Sequence, residues 1–257
     1  MTDSRRRHHW GGLVWTLIRT DFKTRYHGTI GGFGWALLKP LAIFLVLLGV
    51  FSFVFRDEPN YPFHLIVGLF LYDFFSDATK TALVSLRVKG YLITKASFPS
   101  WIIVVTSISN AVLTLAVFAV IVLAFLVLGG HRLSLAGIAL FFWYQIHLCL
   151  MVIAFGLASS VLFLKYRDLN QVWEVVVQAG FFVAPVIYPL GILPERLHVY
   201  LYIWPPTPMI MFSRAALIDG TIPSGLAHLL LTMETAVAFG LGMWVYARLA
   251  PKVAESL

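Results

Sequence analysis

FLKYRDLNQVWE, residues 163–174, places Lys165, Arg167, Asp168, Asn170 and Gln171 between two long apolar runs. One run reaches back to Leu133 and the other forward to Tyr188. In a soluble protein such a stretch would be a surface loop. Here its meaning depends on the medium around the two walls, and composition identifies that medium. The chain has 257 residues, 60% of them hydrophobic and only 12% charged, with a mean hydropathy of +0.85. A soluble domain carries about 25% charged residues, so the shortfall points to a bilayer. The length suits one membrane domain.

Outward from this stretch, six apolar segments are long enough to span, given the roughly 20 residues a spanning helix needs. They cover 35–56, 62–85, 101–129, 133–164, 172–189 and 225–249. The fold expected is therefore all-α and integral to the membrane, with six transmembrane helices over 35–257. Residues 1–34 form a cytoplasmic tail and an interface helix. Lys and Arg set the orientation. With the N-terminus inside, 14 of the 19 basic residues fall in inside segments, 4 outside and 1, Lys80, within a span. Both termini are then cytoplasmic, and so is the opening stretch, where Lys165 and Arg167 anchor the turn between spans four and five. The first residues are basic and mixed, unlike a cleaved signal peptide.

Two regions are not simple spans. In LVWTLIRTDFKTRYH, 13–27, Val14, Trp15, Ile18, Phe22 and Tyr26 share one arc of a helix, and Thr16, Arg19, Thr20 and Lys23 share the other. This predicts an amphipathic helix lying on the cytoplasmic leaflet, with Arg25 snorkelling. Gly28, Gly31, Gly32 and Gly34 then let the chain turn into the first span. The second region, 189–224, is apolar, rich in Pro, and holds two helix-length pieces near 193–203 and 208–218 that are too short to span. Irregular backbone at membrane depth needs protein or a cavity around it, so these read as re-entrant helices on the outer side, between spans five and six.

The chain lacks a phosphate-binding G-x-x-x-x-G-K-[ST] loop, an H-E-x-x-H helix and clustered Cys and His, so neither nucleotide nor metal binding is expected. The single cysteine, Cys149, rules out an intrachain disulfide. Asp73, Asp77 and Lys80, spaced i, i+4, i+7, stripe one face of the second span. Charges there are costly and face a bundle interior or water. They read either as a polar patch of a translocation path or as an Asp77–Lys80 ion pair that fixes helix packing. Glu234 and His228 pose the same question in span six. Aromatic residues are frequent, notably Phe44, Phe51, Phe53 and Phe55 in span one and Trp173, Phe181, Phe182 and Tyr188 in span five. Rings of this kind pack cores or face lipid, and they also bind sugar faces.

Four stretches, in this order, resemble the membrane subunit of type-2 ABC exporters for polysaccharides: RTDFKTRYHGTIGGFGWALLKPL (19–41), LRVKGYLITKASFPSW (86–101), KYRDLNQ (165–171) and FFVAPVIYPLGILPE (181–195). That family moves O-antigen, capsular polysaccharide or teichoic acid. Lys39 stands where the family more often has an acidic or amide residue, and IWPPTP (203–208) where Asn-Pro is usual. The resemblance implies a homodimeric channel in a bacterial inner membrane. Two copies of a separate cytoplasmic ATPase would bind ATP and Mg, leaving this chain without cofactor or enzymatic activity. The cargo implied is a lipid-linked polysaccharide, O-antigen first, and nucleic acid is not among the partners.

The resemblance also implies residue roles. Arg87, Lys89, Tyr91, Lys95, Phe98 and Pro99 would form the ATPase-coupling segment, with Arg167 and Asp168 a second contact. Arg25 and Lys39 would attract the pyrophosphate of the cargo. Phe44, Phe51, Asp73, Asp77, Phe181, Phe182 and Tyr188 would line the channel, and the re-entrant helices would gate it outside. The competing readings are a type-2 permease for capsule, teichoic acid or another lipid or drug cargo, and an intramembrane serine protease built on Ser159 or Ser160 with His228.

Overall fold

The computed structural model describes residues 10–58, 60–95 and 98–252, and every regular element among them is helical. Arg5, Arg6 and Arg7, counted above for orientation, and positions 96 and 97 of the coupling segment lie outside the described residues.

The chain begins with α1, Trp10–Tyr26, and enters α2, Gly34–Phe51. The turn between them relies on glycine: Gly28 and Gly32 have φ of 79° and 48°, in the left-handed region that disfavours a Cβ. Gly31 is needed for space, since a Cβ there would lie 2.3 Å from the Trp35 indole nitrogen. α1 packs on α5, Trp101–Ser107, and α6, Ser109–Leu128. Leu13, Val14, Leu17, Ile18, Phe22 and Tyr26 form its half-buried face, while Trp15, expected there, is 66% exposed.

α3, Tyr61–Lys89, is the central helix, packed against α2, α5, α6, and also α7, Leu135–Lys165, and α8, Leu169–Val183. It is followed by the short α4, Tyr91–Lys95. Phe70 of α3 stacks on Phe118 of α6 at 4.0 Å, a contact that adds about 0.5–1.5 kcal/mol beyond burial. α7 packs in turn on α11, Gly225–Leu249. Ser134 and Ser224 cap α7 and α11 by accepting the N–H of Gly137 and Ala227, at 2.9 and 3.2 Å, which satisfies donors left free at a helix start.

Four helical stretches, 34–51, 101–128, 135–165 and 225–249, are long and apolar enough to cross a membrane. α3 is 29 residues long but carries the Asp73–Asp77–Lys80 stripe. Those charges lie on the one face of α3 that other helices leave partly open, while most of the helix is enclosed, and the apolar α2 and α11 lie at the periphery. The predicted span 172–189 is shorter than expected, since α8 has 15 residues and ends at Val183. Pro185 is the reason: it has no N–H for the helical ladder and disfavours helix in the residue before it.

Beyond α8 lie two short helices, α9, Glu195–Tyr202, and α10, Pro206–Leu217, close to the pieces read from the sequence. α10 packs on α7 and α3. The turn between α9 and α10 puts Trp204 against α8, where a Cβ on Gly180 would meet the indole at 2.3 Å. Trp204 also meets Phe75 of α3 edge-on at 5.5 Å.

The two ends of the bundle differ in charge. One gathers Arg87 over the Phe163 ring, Lys95 beside Tyr91, the Lys165–Asp168 turn, and Arg248 over Trp244. Trp10 against Trp101 and Ser100 hydrogen-bonded to Tyr246 at 2.6 Å tie α1, α5 and α11 together there. At the opposite end His64 meets Asp219 at 3.1 Å, and Phe63 packs on His131.

Candidate functional site

A cleft runs between α2, α3 and α8. Its larger cavity, about 500 Å³, is lined by Lys39 and Ile43 of α2, Tyr72, Asp73 and Lys80 of α3, and Glu174, Gln178, Phe181 and Phe182 of α8. A smaller one, about 240 Å³, adjoins it and adds Arg25, Trp35 and Asp77. The two share Lys39, Asp73, Ser76 and Lys80.

Helix period explains the lining. Asp73, Ser76, Asp77 and Lys80 recur at i, i+3, i+4 and i+7 on α3, and Glu174, Val177, Gln178 and Phe181 do the same on α8. The Tyr72 hydroxyl donates to the Val177 carbonyl at 2.5 Å and holds the two walls together. Trp173 adds a second tie by donating to Thr79 Oγ1 at 3.0 Å. On the α2 wall, Pro40 lacks the N–H that would bond the Ala36 carbonyl, and both residues line the smaller cavity.

The polar stripe is paired differently from the sequence expectation. Asp77 does not bind Lys80. Arg25 Nη2 donates to both Asp77 oxygens, at 3.0 and 3.1 Å, across 52 positions. The cause is reach, since the end of α1 lies over α3 and its guanidinium extends to the carboxylate. Arg25, expected to be available to an anionic cargo, is thus already charge-compensated. Lys39 and Lys80 have no carboxylate partner within 4.0 Å among the described residues.

Of the residues expected to line a channel, Asp73, Asp77, Phe181 and Phe182 face the cleft, and Phe182 is 65% exposed. Phe44 does not: it is buried on the other side of α2, edge-on to Phe125 at 5.9 Å. Phe51 stacks on Phe55 beyond the cleft. Tyr188 turns back along its own segment and donates to the Phe182 and Val183 carbonyls. Tyr72, Glu174 and Gln178 were missed, although the last two repeat at i, i+4 before Phe181, a pattern readable from sequence.

The residues expected to couple to an ATPase gather at the basic end. Arg87 and Tyr91 are exposed. Lys89 is not: half-buried, it donates to the Asp21 carboxylate of α1 and to Ser107 Oγ, the latter at 2.8 Å. Phe98 packs against the core beside Pro99. Arg167 and Asp168 are exposed at the start of α8.

Arg214 is one of the four basic residues that the sequence reading counts outside. It is 4% exposed and donates to the carbonyls of His64, Pro185 and Val186, at 2.9, 2.5 and 2.9 Å. Gly68 permits this, since a Cβ there would lie 2.4 Å from Nη2. An arginine within an apolar, proline-rich stretch is the available sequence signal.

The intramembrane protease reading fails on geometry. His228 meets Tyr144 Oη at 2.9 Å, and Ser160, on the same helix as Tyr144, lies about 24 Å further along at 1.5 Å per residue. Ser160 donates to the Leu157 carbonyl instead.

The charged cleft beside a basic end is the arrangement expected of a transport subunit, and comparison with known proteins agrees. Residues 12–218 match the family described as ABC-2 type transporter. The chain belongs to that family. This permease is 26% identical over 216 residues, 82% of each chain, to the O-antigen export system permease protein RfbA of Klebsiella pneumoniae. It is 28% identical over 194 residues, 74% of this chain and 73% of the relative, to the protein of the same name from Myxococcus xanthus. With the polysialic acid transport protein KpsM of Escherichia coli, identity is 24% over 237 residues, 91% of this chain and 92% of the relative.

Proposed function

We propose that this permease is the channel-forming subunit of an ATP-driven exporter that carries a lipid-linked polysaccharide, O-antigen in the first instance, across a bacterial inner membrane. The observation that carries the reading is the cleft between α2, α3 and α8. It combines two rings, the half-buried Phe181 and the exposed Phe182, with Glu174 and Gln178 on one helix face. Rings accept the apolar faces of sugars, and the carboxylate and amide bond their hydroxyls. The names of the relatives support the choice of cargo.

In this reading two copies pair, all six predicted spans cross the membrane, and the basic end faces the cytoplasm in accord with the positive-inside rule. A separate ATPase docks there. It contacts the segment running from Arg87 and Lys89 through Tyr91 and Lys95 to Phe98 and Pro99, and the Arg167–Asp168 turn. ATP and Mg are held by that partner. The outer helices α9 and α10 close the far side. A capsular cargo is the second reading, favoured by the relative that aligns over 91% of this chain.

The test is co-expression with the ATPase encoded beside this permease and purification through a tag on the permease alone. Stoichiometric recovery of an ATP-hydrolysing partner, lost when Arg167 and Asp168 are reversed in charge, is expected. Recovery of the permease alone across several mild detergents would overturn the reading. Immunoblots of surface O-antigen and capsule in a deletion strain separate the two cargoes.

A further inference from the structure

Another cavity, of about 310 Å³, lies along the seam between α7 and α11 and shares no lining residue with either part of the cleft. The two helices touch where a Cβ on Gly242 would meet the Ala154 carbonyl oxygen at 2.3 Å. Beside that contact Ala154, Ala158, Ala238 and Gly242 carry almost no side chain, so a groove stays unfilled. Phe155 and Trp173 stack at 4.1 Å on its wall, and Phe75 meets Trp173 edge-on at 6.2 Å. On α11 the lining runs from Glu234 to Val245, about 16 Å of helix, so the groove is elongated.

Glu234 is the one charged residue of the lining, and it stands at one end. Among the described residues it has no cation within 4.0 Å and no hydrogen-bond partner. An ionised carboxylate calls for a donor or a cation, and a protonated one for an acceptor. The two histidines of the seam are turned elsewhere, His228 to Tyr144 and His147 to Thr235, each at 2.9 Å. A carboxylate within a membrane span is costly and serves a partner charge or a polar path. No polar path leads on from Glu234, since the Trp173 N–H is given to Thr79 and no other lining residue has a polar side chain. A partner charge is what remains.

The walls define that partner. A small hydrated cation needs several oxygens, and the groove offers one carboxylate. An ammonium group is satisfied by a single charge-assisted bond of this kind when the rest of the molecule is apolar. The Ala154–Gly242 contact sets Phe155 level with the Gly242 turn of α11, roughly 12 Å along the axis from Glu234. A ligand that fills the groove therefore carries its charge at one end and an apolar body that reaches the Phe155–Trp173 stack. Leu241, 59% exposed, opens the same groove to the outer surface of the bundle, where an amphiphile would enter.

We infer that the groove between α7 and α11 is a binding site for an amphiphilic amine, with its ammonium on Glu234 and its body along Phe155 and Trp173. The site is distinct from the cleft and stands whatever the cargo is.

The probe is radiolabelled ω-phenylhexylamine, bound to the full-length chain in dodecyl maltoside, an uncharged detergent with no cation of its own to compete. Equilibrium dialysis against protein-free micelles gives the saturable fraction, and one site per chain is expected. Glu234→Gln is expected to weaken binding at least tenfold, and Phe155→Leu at least threefold. ω-Phenylhexanol keeps the body and loses the charge, while phenylethylamine keeps the charge and loses the reach. Each should compete at least tenfold less well than unlabelled probe. Glu174→Gln, which alters the carboxylate of the cleft, is expected to stay within twofold of the parent.

Parent-like binding by Glu234→Gln overturns the inference, and so does phenylhexanol competing as well as the amine, which marks an apolar cavity without charge recognition. If Glu174→Gln weakens binding while Glu234→Gln does not, the amine sits in the cleft and the groove assignment falls. Absence of saturable binding, as from a groove filled by lipid or by a second copy, overturns it too. The competition series uses the parent protein, so it decides the matter even if Glu234→Gln does not elute as a single species.

Discussion

Replacing Arg214 with methionine keeps most of the side chain's length and removes every donor of its guanidinium. Three carbonyls, those of His64, Pro185 and Val186, then lose their charged partner. Hydrogen bonds to a charged group contribute about 1.5–3 kcal/mol each, so the gross loss is roughly 5–9 kcal/mol. Methionine also escapes the several kcal/mol of desolvation that a buried cation carries, which leaves a net destabilisation of about 3–5 kcal/mol. Gly68→Ala attacks the same cluster from the other side. Its Cβ, 2.4 Å from Nη2, forces the guanidinium away from Val186, at a cost of about 1.5–3 kcal/mol, one charged hydrogen bond. In the Arg214→Met background the guanidinium is gone and that clash is relieved, so the double variant should be less destabilised than the sum by about 1–2 kcal/mol.

Urea unfolding in mixed micelles, followed by tryptophan fluorescence, reads all four proteins of the cycle. An Arg214→Met variant within about 1 kcal/mol of the parent, or strict additivity with Gly68→Ala, would refute the account of Arg214 as the residue that ties α10 to α3 and to the end of α8.

The Arg25–Asp77 pair is about two-fifths exposed on each side, so Asp77→Asn should cost no more than about 1 kcal/mol in the same unfolding assay. Lys89 is more enclosed, and Lys89→Met should cost about 1–3 kcal/mol through loss of its charged bonds to Asp21 and Ser107; parent-like stability would show that α1 is held by its apolar face alone. For sidedness, Arg167→Cys and Asp219→Cys in a Cys149→Ser background are read with a membrane-impermeant maleimide on intact spheroplasts. Labelling of position 219 and protection of 167 until lysis is expected, and the reverse pattern would invert the proposed orientation.

Features that depend on the medium were legible in the sequence. Apolar run length located the four helical stretches long and apolar enough to cross a membrane, because a bilayer demands about 20 such residues. The i, i+4, i+7 spacing put Asp73, Asp77 and Lys80 on one face, where the cleft lies. The glycines after Tyr26 marked the turn, and the prolines around 185–208 marked the broken outer segment. What could not be read was which groups meet across the chain. Asp77 had a nearer candidate in Lys80, yet binds Arg25, because helix crossing and not sequence distance decides reach. Arg214 is partnered by three backbone carbonyls and the Met211 sulfur, so no acidic side chain signalled it. Phe44 and Phe181 are equally apolar, and composition says nothing about which of two rings faces a core and which a cleft.

α8 starts at the exposed Arg167–Asp168 turn and ends where Arg214 grips the carbonyls of Pro185 and Val186, with the indole of Trp204 lodged against Gly180 between them. Fifteen unbroken helical residues make a stiff rod about 22 Å long. Its two ends cannot be displaced along its axis independently. An axial displacement of one end would therefore carry the other with it, and α8 links the charged turn to the segment held by Arg214 and Trp204.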